Sequence, residues 1–247
     1  MIILRTFLAF CVTLFSVLAF IPIGISAFLL SFLGLRRPMS WVTYRLAQTW
    51  ARAMIFASGC PMDVQGRDQI PMEGGLCFIS NHVGYFDIIL ALAYAGRPFG
   101  FVAKKELLYL PFFNIWISLL GGLFIDRKNV RKAIKTINRG IKKIQDGGAM
   151  LIFPEGTRSK GQGLLPFRSG AIKLATNSLA AIVPVAITGS YEVLERTGRI
   201  RPVPLRVVFC PPIITKDMNG EDRRHKLTDQ VRLDIEKALG GTPELVR

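Results

Sequence analysis

Leu76-Cys77-Phe78-Ile79-Ser80-Asn81-His82-Val83-Gly84-Tyr85-Phe86-Asp87-Ile88-Ile89-Leu90-Ala91-Leu92-Ala93 is the stretch that decides the fold. Its first residues, 76–80, form a short apolar run of the kind that makes a buried strand, and the apolar run from Ile88 opens a helix. A buried strand feeding a helix is the unit of an α/β fold, and functional groups in such folds collect at the turn between the two. This turn carries His82, one of two histidines in the chain; the other, His225, lies in a charged C-terminal stretch. An imidazole titrates near neutral pH and can take a proton from a weak nucleophile such as an alcohol. Asp87, five residues on, can bond the far ring nitrogen, fix the tautomer and stabilise the imidazolium. His82 and Asp87 are therefore the candidate catalytic pair.

The same pattern continues outward. Short apolar runs end in turns at 100–103, 122–125, 150–153, 182–187 and 205–209, with helical stretches between several of them. In the clearest helix, 130–145, Ile134, Ile137, Ile141 and Ile144 repeat at helical spacing and form the packed stripe. Its other faces carry Arg131, Lys132, Lys135, Arg139, Lys142 and Lys143, which serve as a solvated face or as a contact for lipid or a carrier protein. The expected fold is α/β, a central mixed sheet flanked by helices. There is no internal repeat, so residues 60–247 are expected to form one domain, preceded at 1–59 by membrane-anchoring helices.

Composition supports the anchor. The net charge is +15, yet half of the residues are hydrophobic and the mean hydropathy is +0.36. Basic and greasy together fit an anionic membrane surface better than nucleic acid, for which no recognition motif is present. From Thr6 to Leu35 no residue is charged, and Arg5 and Arg36-Arg37 flank the run. It is too long for a secretory signal and carries no convincing cleavage site. Pro22 and Gly24 interrupt it, so the expectation is a membrane-embedded hairpin of two short helices, folded back at Ile21-Pro22-Ile23-Gly24. A single tilted span is the alternative, and there the basic residues after the run would keep the rest of the chain cytoplasmic. The stretch 40–58 reads as a further helix, at the lipid boundary or packed on the core. Cys11, Cys60, Cys77 and Cys210 have no paired spacing and read as small hydrophobes in a reducing compartment. With two histidines and no Cys/His cluster, no metal site is expected.

A second group of residues bears on anions. Phe153-Pro154-Glu155-Gly156-Thr157-Arg158-Ser159 follows a buried run and offers turn amides, a hydroxyl and a guanidinium, a set suited to phosphate. Glu155 either accepts a hydrogen bond from a hydroxyl or pairs with a cation such as Arg158. Two other strand ends deliver cations, Lys104 and Lys105 at one and Arg127 at the other, so one anion-binding pocket at the sheet edge is expected.

Taken in order, these blocks resemble the glycerolipid acyltransferase family, in particular the bacterial 1-acylglycerol-3-phosphate acyltransferases. The resemblance rests on Asn81-His82 with Asp87, on Gly121-Gly122-Leu123-Phe124-Ile125-Asp126-Arg127, on Phe153 to Ser159, and on Ile182-Val183-Pro184-Val185. It also takes in Leu165-Pro166-Phe167-Arg168-Ser169-Gly170, where Arg168 stands in place of the lysine of many members. It implies transfer of a fatty acyl group from acyl carrier protein or coenzyme A to the sn-2 hydroxyl of lysophosphatidic acid, with no further cofactor and no metal. His82 would be the general base and Asp87 its orienting partner. Arg158 would hold the substrate phosphate with Lys104, Lys105, Arg127 and Arg168 as helpers, while Glu155, Gly156 and Thr157 shape the acceptor site. The amides following Asn81 are candidates for the oxyanion donors. The implied location is the inner membrane, with the catalytic domain on its cytoplasmic face. Two other readings are a hydrolase using water and a non-catalytic basic protein binding acidic lipids.

Overall fold

The structure, a computed structural model, describes residues 2–216, 218 and 220–240. The side chains of Arg36, Arg37 and His225, used above, lie outside what it describes.

The apolar N-terminal run does not fold back at Pro22. It forms one continuous helix, α1 (Ile2–Ser31), followed after a short turn by α2 (Arg36–Ser58). A proline inside a helix removes one hydrogen bond and costs about 3 kcal/mol, but here both sides of Pro22 are held by the same neighbour. Phe20 packs edge-on against Trp116, ring centroids 6.3 Å apart, and Gly24 lies against Trp116 and Leu119. Continuous packing therefore carries the helix past the break. α1 and α2 run antiparallel: Arg5 Nη1 donates to Ser58 O at 2.9 Å near the start of α1, and Thr13 Oγ1 reaches Met54 Sδ at 3.3 Å further along. Ile200 N–H also donates to Thr6 Oγ1 at 3.0 Å, tying this end of α1 to the rest of the molecule.

α1 is long and apolar enough to cross a membrane by length and composition, and most of it is exposed. Phe7, Phe10, Phe15, Leu18, Phe28 and Leu29 all face outward. α2 buries Tyr44, Ala51, Met54 and Ile55 in the core that also covers the sheet. Residues 36–58, grouped above with the anchor, thus share their packing with the α/β domain.

The sheet is built from β1 (Met62–Gln65), β2 (Leu76–Ser80), β3 (Gly100–Lys104), β4 (Leu123–Ile125), β5 (Ala149–Ile152), β6 (Ala181–Thr188), β7 (Leu205–Phe209) and β8 (Ile213–Ile214). Strand order is β1-β7-β6-β2-β5-β3-β4, with β8 paired to β6. The run from β6 to β4 is parallel, and β7 joins β6 antiparallel, so the sheet is mixed. β1 and β8 were not legible as strands in the sequence. The connecting helices are α3 (Phe86–Tyr94), α4 (Phe113–Leu119), α5 (Val130–Gln145), α6 (Ser169–Ser178), α7 (Ser190–Val193) and α8 (Gly220–Ala238).

β2 shows why a near-continuous apolar run makes a central strand. Leu76 and Phe78 enter the core under α2 and α3, whereas Cys77 and Ile79 enter the core under α5, α6 and α8. β2 pairs with β5 on one side and β6 on the other, both parallel. The turns after β2, β4 and β5 therefore open at the same carboxyl edge of the sheet, where ligand sites form in such folds. α5 is capped by Asn129, whose side chain accepts from Lys132 N–H at 3.0 Å, and it packs through Ile137, Ile141 and Ile144. Ile134, expected on the packed stripe, is instead 54% exposed.

Candidate active site

His82 sits just past β2, its backbone set by its neighbours. Asn81 turns its side chain into β6, donating from Nδ2 to Ile187 O at 2.9 Å and accepting Ile187 N–H at 2.8 Å. Asp87, in the first turn of α3, is fully buried, and its Oδ2 lies 2.7 Å from His82 Nδ1. The same Oδ2 accepts the N–H groups of Val83 at 2.7 Å and Gly84 at 3.0 Å, while Oδ1 accepts the Ser190 hydroxyl. A carboxylate only accepts, so Nδ1 carries the proton and Nε2 is left as the free base. The imidazole side chain is 21% exposed and stacks on Phe153 at 4.0 Å between ring centroids, which holds its plane.

Glu155 follows β5, the strand beside β2. It makes no ion pair with Arg158. Its Oε1 accepts His82 N–H at 2.7 Å and its Oε2 accepts Leu165 N–H at 3.2 Å, so it ties the catalytic turn to the 165 loop. Burial pushes its carboxyl up to about 7, against the downward pull of the two amides. The turn after it lies directly beside the histidine, because Ser159 N–H donates to His82 O at 2.7 Å and Lys160 N–H to Val83 O at 3.2 Å. The amides after Asn81, expected as oxyanion donors, are all engaged: His82 with Glu155, Val83 and Gly84 with Asp87, and Tyr85 with Glu195. The amides of Thr157 and Arg158 make no hydrogen bond among the described residues.

The expected cations divide into two groups. Arg158 pairs with Glu195 and lies over the Tyr85 ring, its guanidinium carbon 3.8 Å from the centroid. Lys105 pairs with Asp126 at 2.8 Å. Lys104, Arg127 and Arg168 have no acidic partner among the described residues. Two of these converge: Arg127 donates to Gly156 O, and Arg168 packs against the Cα of Gly156 so closely that a Cβ there would lie 2.9 Å from its Nε. Partial burial and then the neighbouring Arg168 charge lower the pKa of Arg127. An anion between the two would relieve that repulsion. Gly156 has φ +71°, a left-handed conformation that favours glycine and lets both side chains approach. Thr157 is exposed beside them.

Ser190, Glu195 and Phe153 were not singled out by their sequence positions. Ser190 follows Gly189 at the end of β6, and that strand-end position was the only cue. Nothing in the sequence marks Glu195.

Fold and site together define an α/β enzyme with a His–Asp proton-accepting pair at the carboxyl edge of its sheet, next to a basic turn. A family model described as Acyltransferase matches residues 61–188, more than half of the chain. Similar proteins include the 1-acyl-sn-glycerol-3-phosphate acyltransferase of Limnanthes douglasii, 32% identical over 202 residues, which cover 79% of this chain and 70% of that one. The protein of the same name from Escherichia coli (strain K12) is 33% identical over 167 residues, 67% of each chain. The crystal structure of the 1-acyl-sn-glycerophosphate (LPA) acyltransferase PlsC from Thermotoga maritima shares the fold, with TM-score 0.76 and 23% identity over 99% of this chain and 100% of that one. The chain belongs to the acyltransferase family.

Proposed function

We propose that the enzyme transfers a fatty acyl group from a thioester, on acyl carrier protein or coenzyme A, to the sn-2 hydroxyl of 1-acylglycerol 3-phosphate, giving phosphatidic acid. The observation that carries this reading is the free Nε2 of His82 beside the Gly156 turn, where Arg127 and Arg168 converge with no acidic partner among the described residues. The substrate phosphate sits between Arg127 and Arg168, with Lys104 adding charge. The charges of Arg158 and Lys105 are already balanced, by Glu195 and Asp126. Nε2 takes the hydroxyl proton as the oxygen attacks the thioester carbonyl. Asp87 steadies the imidazolium, and the free amides of Thr157 and Arg158 receive the oxyanion. The intermediate collapses with cleavage of the C–S bond, and the thiolate recovers the proton from His82. The substrate hydroxyl is itself the nucleophile, so no acyl-enzyme forms.

The apolar outer face of α1 serves as the lipid attachment, together with Tyr109 and Phe112 ahead of α4 and Phe113 at its start. The bonds from Arg5 to Ser58 and from Ile200 to Thr6 support a helix lying in one leaflet, since a span would carry that end away from the domain. A donor on acyl carrier protein or coenzyme A is a cytoplasmic thioester, so on this reading the catalytic domain works on the cytoplasmic face of the inner membrane. The test is radiolabelled acyl transfer to 1-acylglycerol 3-phosphate by purified wild type and by His82→Ala. Phosphatidic acid from wild type alone supports the reading, and fatty acid release without acceptor turns it toward a hydrolase.

A further inference from the structure

The positive charge of this chain is not confined to its greasy side. Ala9 of α1, Tyr44 of α2, Ile89 of α3 and Ile117 of α4 all enter the core on one face of the sheet. α5 seals the opposite face, packing through Ile144 with Ile172 and Leu174 of α6. The outer surface of α5 and the apolar surface of α1 therefore point away from the sheet in opposite directions. With α1 in lipid, α5 faces water.

That outer surface carries Arg131, Lys132, Lys135 and Arg139, all exposed, and none of them makes an ion pair among the described residues. Arg131, Lys135 and Arg139 recur four residues apart, so like charges stack along one stripe. Like-charge pairs at this spacing destabilise a helix. The first turn of α5 holds no acidic residue and two cations, the wrong sign for the amino end of the helix dipole. These charges are a cost to the fold that a bound anion would offset. Val130 is 70% and Ile134 54% exposed; they lie at one edge of the basic stripe, on the side that leads to the packed face. α5 also starts beside the site: Arg127, two residues before its Asn129 cap, donates to Gly156 O.

Resting on the thioester-transfer reading above, we propose that the outer face of α5 (Arg131, Lys132, Lys135 and Arg139, with Ile134 at its edge) docks a small acidic acyl carrier protein. Seated there, its flexible arm delivers the thioester to the carboxyl edge of the sheet, where His82 stands. A bilayer does not fit this face, because it would have to contact α1 and α5 on opposite sides at once. A nucleotide-borne thioester needs cations only where its phosphates fall, whereas the stripe from Arg131 to Arg139 runs about 12 Å along the helix.

The test uses full-length enzyme in detergent and the charge-reversed Arg131→Glu/Lys132→Glu/Lys135→Glu variant, with folding checked by circular dichroism. Binding of fluorescently labelled acyl carrier protein is followed by anisotropy, without turnover. Reversal is expected to weaken binding roughly tenfold or more and to raise KM for the carrier-borne donor in step, while KM for the coenzyme A donor changes by less than about twofold. Should reversal compromise folding, the Arg131→Gln/Lys132→Gln/Lys135→Gln variant is expected to give a smaller shift in the same direction. Equal carrier binding by wild type and variant, or no binding by wild type, overturns the proposal. So does equal loss with both donors, or lost sedimentation with phosphatidylglycerol vesicles when donor kinetics are unchanged. If wild type makes no phosphatidic acid from either donor, the acceptor reading fails, and the anisotropy still decides whether α5 binds the carrier.

Discussion

Glu155 Oε1 accepts the backbone N–H of His82 at 2.7 Å, so the residue that opens the basic turn also holds the catalytic histidine in place. The carboxyl is buried and pushed up to about 7, which makes it sensitive to pH. The folded protein binds this proton more tightly than the unfolded chain does, so the stability it contributes is full below its ordinary value near 4.5 and is lost as pH rises through about 7. Glu155→Gln cannot titrate. Urea unfolding from about pH 5 to about pH 8 should show wild type losing roughly 1–3 kcal/mol relative to the variant. A pH-independent difference would contradict the assignment.

His82→Ala should lower acyl transfer by about 10²–10⁴-fold, the usual size of a general-base contribution. The melting temperature should move little, because the ring is partly exposed. Asp87→Asn should lose similar activity and also stability, since its carboxylate accepts two backbone amides and the Ser190 hydroxyl. Parallel kinetics and thermal melts would separate the two effects.

Arg127→Ala and Arg168→Ala should act on acceptor binding. A charge-assisted hydrogen bond to phosphate is worth about 1.5–3 kcal/mol. Each variant should therefore raise KM for 1-acylglycerol 3-phosphate by roughly ten- to a hundredfold, and kcat should fall less. A fall in kcat at unchanged KM would move the phosphate elsewhere.

Glu195→Ala should show the opposite split. It frees Arg158 and leaves the Tyr85 N–H without its partner, loosening the turn that carries His82. The expected result is a lower kcat, a nearly constant acceptor KM and a stability loss of about 1–3 kcal/mol. Gly84→Ala tests the same packing from the other side, because its Cβ would lie 2.6 Å from Glu195 Oε2 and 2.9 Å from the Tyr191 backbone. The turn must move, and activity should fall at least about tenfold.

Replacing Phe7, Phe10 and Phe15 with serine removes three exposed rings from α1. Each buries about 1.5–3 kcal/mol worth of apolar surface when it enters lipid. Co-sedimentation with phospholipid vesicles should drop sharply at an unchanged melting temperature.

The elements most legible in sequence were those whose signal is local. β2 was readable because a strand buried on both faces is apolar at every position, and α5 because an amphipathic helix repeats its stripe. β1 alternates inward and outward over only four residues, and β8 is two residues long, too little for a pattern. The break expected at Pro22 failed for the complementary reason: local propensity favoured a stop, and packing of Phe20 and Gly24 against α4 overrode it.

Sequence alone determined the chemistry available: a histidine with a carboxylate five residues on, cations at successive strand ends, and an apolar N-terminal run. Tertiary structure decided which of these groups are free to act. Glu155 became a backbone clamp instead of a partner for Arg158, and Glu195, 37 residues beyond Arg158 in the chain, took that place. Arg127 and Arg168 were left together at one glycine, with no counterion among the described residues. A hydrogen bond or ion pair needs atoms within about 3–4 Å, and that proximity is set by how β2, β5 and β6 stack side by side, which no spacing along the chain encodes.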